Sequence, residues 1–381
     1  MYKKKILLIC SSSQTVLSFR RGLIEALQLA NFDVSILVFD SKYKESIQNL
    51  GVSLNIIEED NRSLNPFKTL SLKKRIGEII KKEAPDLVFT FMLKPNIFGV
   101  LAAKKGGVKH IFSMVEGVGD VYTRKGIKWW IIRNIVTLLY RRSLNFADIV
   151  FFLNNDNKNE FIERGIIKEE KAMTIPGIGV DLKRFQYTPI NNYQNVLMVA
   201  RLLKTKGVYE YCEAARILKL KYPNARFQLL GPECEIKASD LRCYIENKDI
   251  EYIPQTSDVR PYLRNSGIYV LPSYKEGLSM SVIEAEAIGR AIVTSNTTGC
   301  VDSIAPNVNG LLVEVGNAKD LAEKIRVFLD DKEKTKQFGE ASRKLAEDKF
   351  DQQKINKRII SIIKDTLLKR EEVISDLDNI S

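Results

Sequence analysis

Two segments of this 381-residue chain combine residue types that bind phosphate and sugar groups. The first runs from Tyr274 to Glu284 and reads Tyr-Lys-Glu-Gly-Leu-Ser-Met-Ser-Val-Ile-Glu. An apolar run at 268–271 stops at Pro272. A loop then carries Glu276, Gly277 and Leu278, and Ser279 or Ser281 stands where a helix holding Glu284 begins. The N–H groups at a helix start, joined by a serine hydroxyl, form an anion site. Glycine at 277 allows close approach of backbone to ligand. The carboxylates of Glu276 and Glu284 can accept from the hydroxyls of a sugar or a ribose. The plain alternative is a capped helix with two solvated glutamates. The second segment is the apolar run 196–199 followed by Ala200-Arg201-Leu-Leu-Lys-Thr-Lys206-Gly207. Arg201 can clamp a phosphate with two parallel hydrogen bonds, and Lys206 adds a point charge. Its plain alternative is an exposed basic loop. Both segments leave strand ends in the same half of the chain, so one rim should carry both.

The elements that must hold these residues follow a repeating pattern. Short apolar runs at 6–10, 34–39, 54–57, 87–91, 109–113 and 149–153 read as strands, and helical spacing fills 19–30, 68–83, 95–104 and 127–145. Pro176-Gly177-Ile178-Gly179 and the polar stretch 186–194 interrupt the rhythm. It then restarts with strands at 196–199, 226–230, 250–253, 268–271, 291–294 and 311–313, with helices between them at 208–221 and 281–288 among others. Strands that are apolar throughout and alternate with helices specify parallel sheets covered on both faces. The expected fold class is α/β, with two doubly wound Rossmann-like domains facing a central cleft. The expected domains are 1–186 and 187–351. A returning helix at 352–370, with Ile355, Ile359, Ile362, Ile363 and Leu367 on one face, should pack on the first domain, and 371–381 form a frayed acidic tail. In such sheets ligands bind beyond the carboxyl ends of the strands.

Composition narrows the chemistry further. A single histidine, His110, excludes HExxH and any site built on two histidines, and no cysteine cluster offers a zinc site, so no metal is expected. The five cysteines are odd in number and lack CxxC spacing, which favours a reducing compartment. Residues 6–10 are too short for a signal-peptide core, and 127–140, broken by Lys128 and Arg133, are too short to span a bilayer. The expected location is therefore cytoplasmic. The net charge of +12 favours anionic partners without choosing among nucleic acid, lipid and phosphorylated substrates.

Taken together, ARLLKTKG, EGLSMSVIEA, Thr298-Gly-Cys-Val-Asp302 and Asn309-Gly-Leu-Leu312 resemble glycosyltransferase family 4, with its E-x7-E spacing at Glu276 and Glu284. Phe19-Arg20 and Leu93-Lys-Pro-Asn-Ile-Phe98 resemble a subgroup that builds capsule, O-antigen and N-glycan precursors, many on undecaprenyl diphosphate. The resemblance implies a GT-B enzyme that moves a hexose or N-acetylhexosamine from a UDP-sugar with retention, without a metal or other cofactor. It implies that Arg201 and Lys206 hold the donor diphosphate, that Glu276 contacts the donor sugar and Glu284 the ribose, and that the backbone at 277–279 meets sugar and phosphate. The first turn, Ser11-Ser-Ser-Gln-Thr15, lacks the double glycine of many relatives. Val115-Glu-Gly-Val-Gly-Asp120 stands where many supply a catalytic histidine. Glu116, Gly117, Gly119 and Asp120 are the acceptor-binding candidates there.

Next in the chain, Arg124, Lys125, Lys128, Trp129, Trp130 and Arg133 form a basic aromatic segment suited to an anionic inner-membrane surface. A solvated basic helix face is the alternative. The expected partners are a nucleotide sugar, a lipid-linked saccharide and that membrane surface. Competing functions are a sugar-nucleotide epimerase of the same fold and, in a different class, a basic nucleic-acid binder. The first would need an acid/base set that the sequence does not display, and no nucleic-acid-reading motif is present. A dinucleotide-binding dehydrogenase is disfavoured because no glycine follows the first strand until Gly22.

Overall fold

The strand runs are apolar because they are buried on both faces: Ile6, Leu7, Leu8 and Ile9 are all fully inaccessible. The computed structural model describes residues 3–59, 66–117, 122 and 126–378; of 66–70 and 369–378 it describes the backbone. The chain forms two compact units, one of residues 1–178 with those from 353 onward, the other Gly179–Gln352.

In the first unit the strands are β1 (Lys5–Cys10), β2 (Asp33–Val38), β3 (Ser53–Ile56), β4 (Leu87–Phe91), β5 (His110–Val115), β6 (Ile149–Phe152) and β7 (Ala172–Thr174). Its main helices are α1 (Arg21–Leu29), α2 (Pro66–Glu83), α3 (Val100–Lys105), α4 (Ile127–Leu144) and α5 (Asn155–Glu163). The sheet runs β3-β2-β1-β4-β5-β6-β7, with every described pairing parallel. Strand order reverses between β1 and β4, and this is where an open α/β sheet leaves a crevice. Two π-helical turns, Val16–Arg20 and Pro95–Gly99, follow these two strands. Such turns are rare and often accompany function. They coincide with the Phe19-Arg20 and Leu93–Phe98 motifs.

The second unit repeats the plan with β8 (Asn195–Val199), β9 (Arg226–Leu230), β10 (Glu251–Ile253), β11 (Ile268–Leu271), β12 (Ala291–Ser295) and β13 (Gly310–Val313). Its longer helices are α6 (Val208–Lys219), α7 (Met280–Ile288), α8 (Ala318–Asp330) and α9 (Lys332–Lys349). The order is β10-β9-β8-β11-β12-β13, again parallel, and the switch point lies between β8 and β11. Tyr211 on α6 ties the helix to the sheet, its buried hydroxyl 3.0 Å from the carbonyl oxygens of both Val196 and Gln228.

Two expectations need revision. The boundary falls after Ile178, in the first of the two sequence breaks, not at 186/187. Val180 is captured by the second unit, its N–H donating to Phe350 O at 2.8 Å and its carbonyl accepting from Gln352 N at 3.1 Å. The acidic tail is not frayed over most of its length, since the last helix, α10 (Gln352–Asp378), runs through it. No proline or glycine stands there to stop it. In the buried face of α10, Ile355, Ile359, Ile363 and Leu367 are joined by Ile360, while Ile362 is only half-buried.

Candidate active site

Three crossover loops meet at the carboxyl-end rim of the second sheet. The loop after β8 carries Arg201 and Lys206, the loop after β11 carries Glu276 to Ser279, and the loop after β12 carries Thr298 and Gly299. They are fastened by main-chain bonds. Tyr274 N donates to Thr205 O at 2.9 Å, Ser273 Oγ donates to the same oxygen at 3.1 Å, and Glu276 N donates to Thr298 O at 3.4 Å. The approach is so close that two positions admit only glycine. Gly207, left-handed at φ 73°, starts α6, and a Cβ there would land on the carbonyl oxygen of Pro272. A Cβ on Gly299, at φ 79°, would strike the carbonyl of Glu276 and come within 2.9 Å of Gly277 O.

Within this frame the ammonium of Lys206 is ion-paired with the carboxylate of Glu276, both side chains being mostly buried. Arg201 is exposed, and its side chain makes no hydrogen bond or ion pair among the described residues. Ser279 occupies the cap position of α7, but its hydroxyl does not cap the helix. It is buried and lies 3.5 Å from Ser281 Oγ, while its N–H donates to Ser303 Oγ at 3.4 Å. Ser303 in turn donates to Gly299 O at 2.5 Å, which locks the β12 loop to the start of α7. Leu278 is buried beneath the loop, so its contribution outward is main chain alone.

Glu284 sits on the first turns of α7, where burial pushes its carboxyl up to about 7, opposed by the charge of Arg184. Next to it lies Tyr269 of β11, whose hydroxyl donates to Val199 O at 3.2 Å and feels Ser281, Glu284 and Glu276. Burial raises the Tyr269 phenol far above its ordinary range. Lys206 and Glu276 both act on the Cys300 thiol, which burial raises to about 11. The rim therefore gathers Lys206, Glu276, Ser279, Ser281 and Glu284 around Tyr269 and Cys300. Chemically it offers cations and helix-start N–H groups for an anion, and two carboxylates for hydroxyls. Sequence reasoning passed over Tyr269 and Arg184. Tyr269 reads as one more apolar strand residue, and Arg184 is distant in sequence from the residue it faces. Two shallow depressions of about 430 Å³ lie along Glu314 and Val315 and include none of these side chains.

In the first unit, Glu116 is ion-paired with Arg20, whose guanidinium is buried and stacks over the Phe91 ring at 4.4 Å. Loss of hydration lowers Arg20 to about 10 and raises neighbouring Cys10 to about 12. Below that pair, Asn96 is fully buried; its Oδ1 accepts from Thr90 at 2.7 Å and its Nδ2 donates to Met114 O at 2.8 Å. Gly117 has open space where a Cβ would stand. Gly119 and Asp120 lie outside the described residues, as do Arg124 and Lys125. His110 opens β5, at the amino end of the sheet opposite this rim, buried with Nδ1 3.6 Å from Asp148. Of the aromatic pair on α4, Trp130 is exposed and Trp129 half-buried; Lys128 is exposed and Arg133 half-buried. Among the described residues no three His, Cys, Asp or Glu side chains converge as metal ligands, and no helix is long and apolar enough to cross a membrane.

Known proteins share this construction. Residues 180–345 match the family described as glycosyl transferases group 1, and residues 5–154 match the one described as glycosyl transferase 4-like. The chain is 35% identical over 331 residues to the N,N'-diacetylbacillosaminyl-diphospho-undecaprenol alpha-1,3-N-acetylgalactosaminyltransferase of Campylobacter jejuni, covering 83% of this chain and 87% of that one. It is 27% identical over 389 residues to the capsular polysaccharide biosynthesis glycosyltransferase CapM of Staphylococcus aureus, covering 98% and 100%. Among solved structures, a glycosyltransferase from Rickettsia africae superposes with a TM-score of 0.78 at 22% identity, covering 96% of this chain and 99% of that one. Anabaena HepE, solved with UDP and glucose, also reaches 0.78 at 17% identity, covering 95% and 100%; both share the fold. With both units matched and a relative of that identity along most of its length, this chain belongs to the group 1, family 4-like glycosyltransferases and is a glycosyltransferase of the GT-B fold.

Proposed function

We propose that this enzyme transfers an N-acetylhexosamine or hexose from a UDP-sugar, with retention, to a saccharide on undecaprenyl diphosphate at the inner face of a membrane. The observation that carries the reading is the rim of the second unit, where the Lys206–Glu276 pair, Glu284 and the start of α7 share one edge. The donor diphosphate would lie against Arg201, Lys206 and the N–H groups at 277–281. Negative charge grows on that diphosphate as the sugar leaves, and cations fixed in advance lower the barrier. Glu276, held by Lys206, would accept from the donor sugar hydroxyls, and Glu284 from the ribose. Glu116, oriented by Arg20, would meet the acceptor. Support for the acceptor class comes from two relatives: the C. jejuni enzyme, named for a diphospho-undecaprenol substrate, and an Escherichia coli galactosyltransferase named for GlcNAc-diphosphoundecaprenol, 24% identical over 333 residues. The proposed reaction needs no metal, because Arg201 and Lys206 supply the positive charge. Added EDTA should leave the rate unchanged.

The test is a panel of nucleotide sugars incubated with the enzyme and lipid-linked acceptors, read by mass spectrometry. One added sugar on the lipid, lost with Lys206→Ala and Glu276→Ala, is the expected result. Donor hydrolysis or epimerisation without transfer would refute the reading.

A further inference from the structure

The segment that carries Glu276 opens with Tyr274, a residue to which the donor site gives no task. Tyr274 is 43% exposed, yet it is fastened at both ends. Its N–H donates to Thr205 O at 2.9 Å, one position before Lys206, and Ser273 Oγ donates to the same oxygen at 3.1 Å. Its phenol donates at 2.7 Å to Oε1 of Glu210, which follows Lys206 on the first turn of α6. That hydrogen bond raises the phenol above its ordinary range, so the proton stays on the donor. Gly316, in the connection between β13 and α8, closes against the same hydroxyl. It is left-handed at φ 76°, and a Cβ there would stand 3.1 Å from the phenol oxygen. One side chain on the loop after β11 therefore meets the connections that follow β8 and β13.

Two anchors do what one cannot. The bonds at Thr205 O fix where the β11 loop crosses the Lys206 turn, and on their own they would let the loop pivot about that point. A second bond at the far end of a rigid ring stops the pivot, and a tyrosine has only two side-chain torsions to freeze. Glu276 comes shortly after Tyr274, and the long stem of Lys206 reaches across to pair with it. We infer that Tyr274, with Glu210 as its acceptor, is a positioning residue for glycosyl transfer: it sets the Lys206 turn against the Glu276 loop so that the ammonium meets the donor diphosphate. The inference rests on the donor site proposed above and adds two residues to it, neither of which touches the substrate. The plain alternative is a surface hydrogen bond that adds a little stability and nothing to function. The two differ in consequence, because a positioning contact acts only through Lys206.

The experiment is calorimetric titration of the full chain with UDP. Wild type is compared with Tyr274→Phe, Glu210→Ala, Glu210→Gln, the Tyr274→Phe/Glu210→Ala pair, and Lys206→Ala with and without Tyr274→Phe. Tyr274→Phe keeps the ring and loses only the hydroxyl, and thermal unfolding is the control for folding. This variant should bind UDP about fivefold to tenfold more weakly, the scale of one hydrogen bond, and its kcat in the transfer assay should fall by at least as much. Glu210→Ala should match it. Glu210→Gln still accepts and should stay within about twofold of wild type, and the double variant should be no worse than either single one. Added to Lys206→Ala, Tyr274→Phe should change UDP affinity by less than about twofold. Wild-type UDP affinity in Tyr274→Phe would overturn the inference, as would an equal drop with and without Lys206. UDP binding that is absent from wild type, or untouched by Lys206→Ala, would refute the donor site and the brace with it. Weakening by Lys206→Ala but not by Tyr274→Phe would refute the brace alone.

Discussion

Lys206 and Glu276 are 70 positions apart in sequence and joined by one ion pair, so each holds the other in place. Lys206→Ala should lower kcat by about 10²–10³, the usual cost of removing one fixed donor aimed at developing charge. Glu276→Ala should lower it as well, because it frees the ammonium besides removing the proposed sugar contact. Glu284 gives a pH signature. Its carboxyl titrates at about 7 in the folded chain, against about 4.5 in the open one, so the folded state holds a proton that the unfolded state releases. The stability tied to that proton is present below the unfolded value and is lost as pH rises through about 7. If Glu284 holds the ribose as proposed, donor affinity should move the opposite way, since only the carboxylate accepts from two hydroxyls. The donor KM should fall as pH climbs from 6 to 8, and Glu284→Gln should flatten that profile while raising KM by about tenfold at pH 8. An unchanged slope in the glutamine variant would assign the titration elsewhere. Glu276, Glu284, Arg201 and Lys206 were legible in the sequence because each sits in a loop or helix start marked by short local motifs. The burial that shifts Glu284, and the pairing of Glu116 with Arg20, were not. Both depend on side chains brought together by sheet order, which spacing along the chain does not encode.

At the scale of elements, the rim is an arrangement of loops, and its precision rests on backbone contacts. Gly299→Ala forces a Cβ against the Glu276 carbonyl at a positive φ. It should cost about 1–3 kcal/mol, visible as a lower thermal midpoint, and should weaken donor binding because the Glu276 loop must move. Gly117→Ala meets open space and should leave the midpoint within about 1 °C, so the two variants calibrate each other. The strands and long helices were readable from apolar runs and 3.6-residue spacing. The π-helical turns after β1 and β4 were not, because Val16–Arg20 carries ordinary helix residues, and Pro95 and Gly99 mark a helix start or break without specifying a wider turn. The missing hydroxyl cap at Ser279 has a similar origin. Its residue type fits the cap position, yet it is buried against Ser281 and Ser303.

For the molecule as a whole, the chain leaves the first unit at Ile178 and returns to it at Gln353. Ile355, Ile359, Ile363 and Leu367 are each almost fully buried, and at about 1.5–3 kcal/mol per side chain their loss rivals the whole stability of a domain. A chain ending at Gln352 should therefore show calorimetric unfolding of the second unit near its usual temperature and no cooperative transition for the first. The break at Pro176–Gly179 was visible in the sequence, but which of two breaks divides the units was settled by Val180, whose main chain pairs with the Asp351 region. That pairing sets the two ends of the second unit side by side. The unit is thus an insertion with a single point of entry, and by that topology it is a cartridge. Cutting after Ile178 and before Gln353 removes the second unit whole, with the proposed donor site, and a homologous unit could be spliced in at two adjacent joints. Exchanging the first unit would instead require replacing two pieces of chain far apart in the gene. Recombination between relatives should accordingly reassort the middle of the sequence against its two ends.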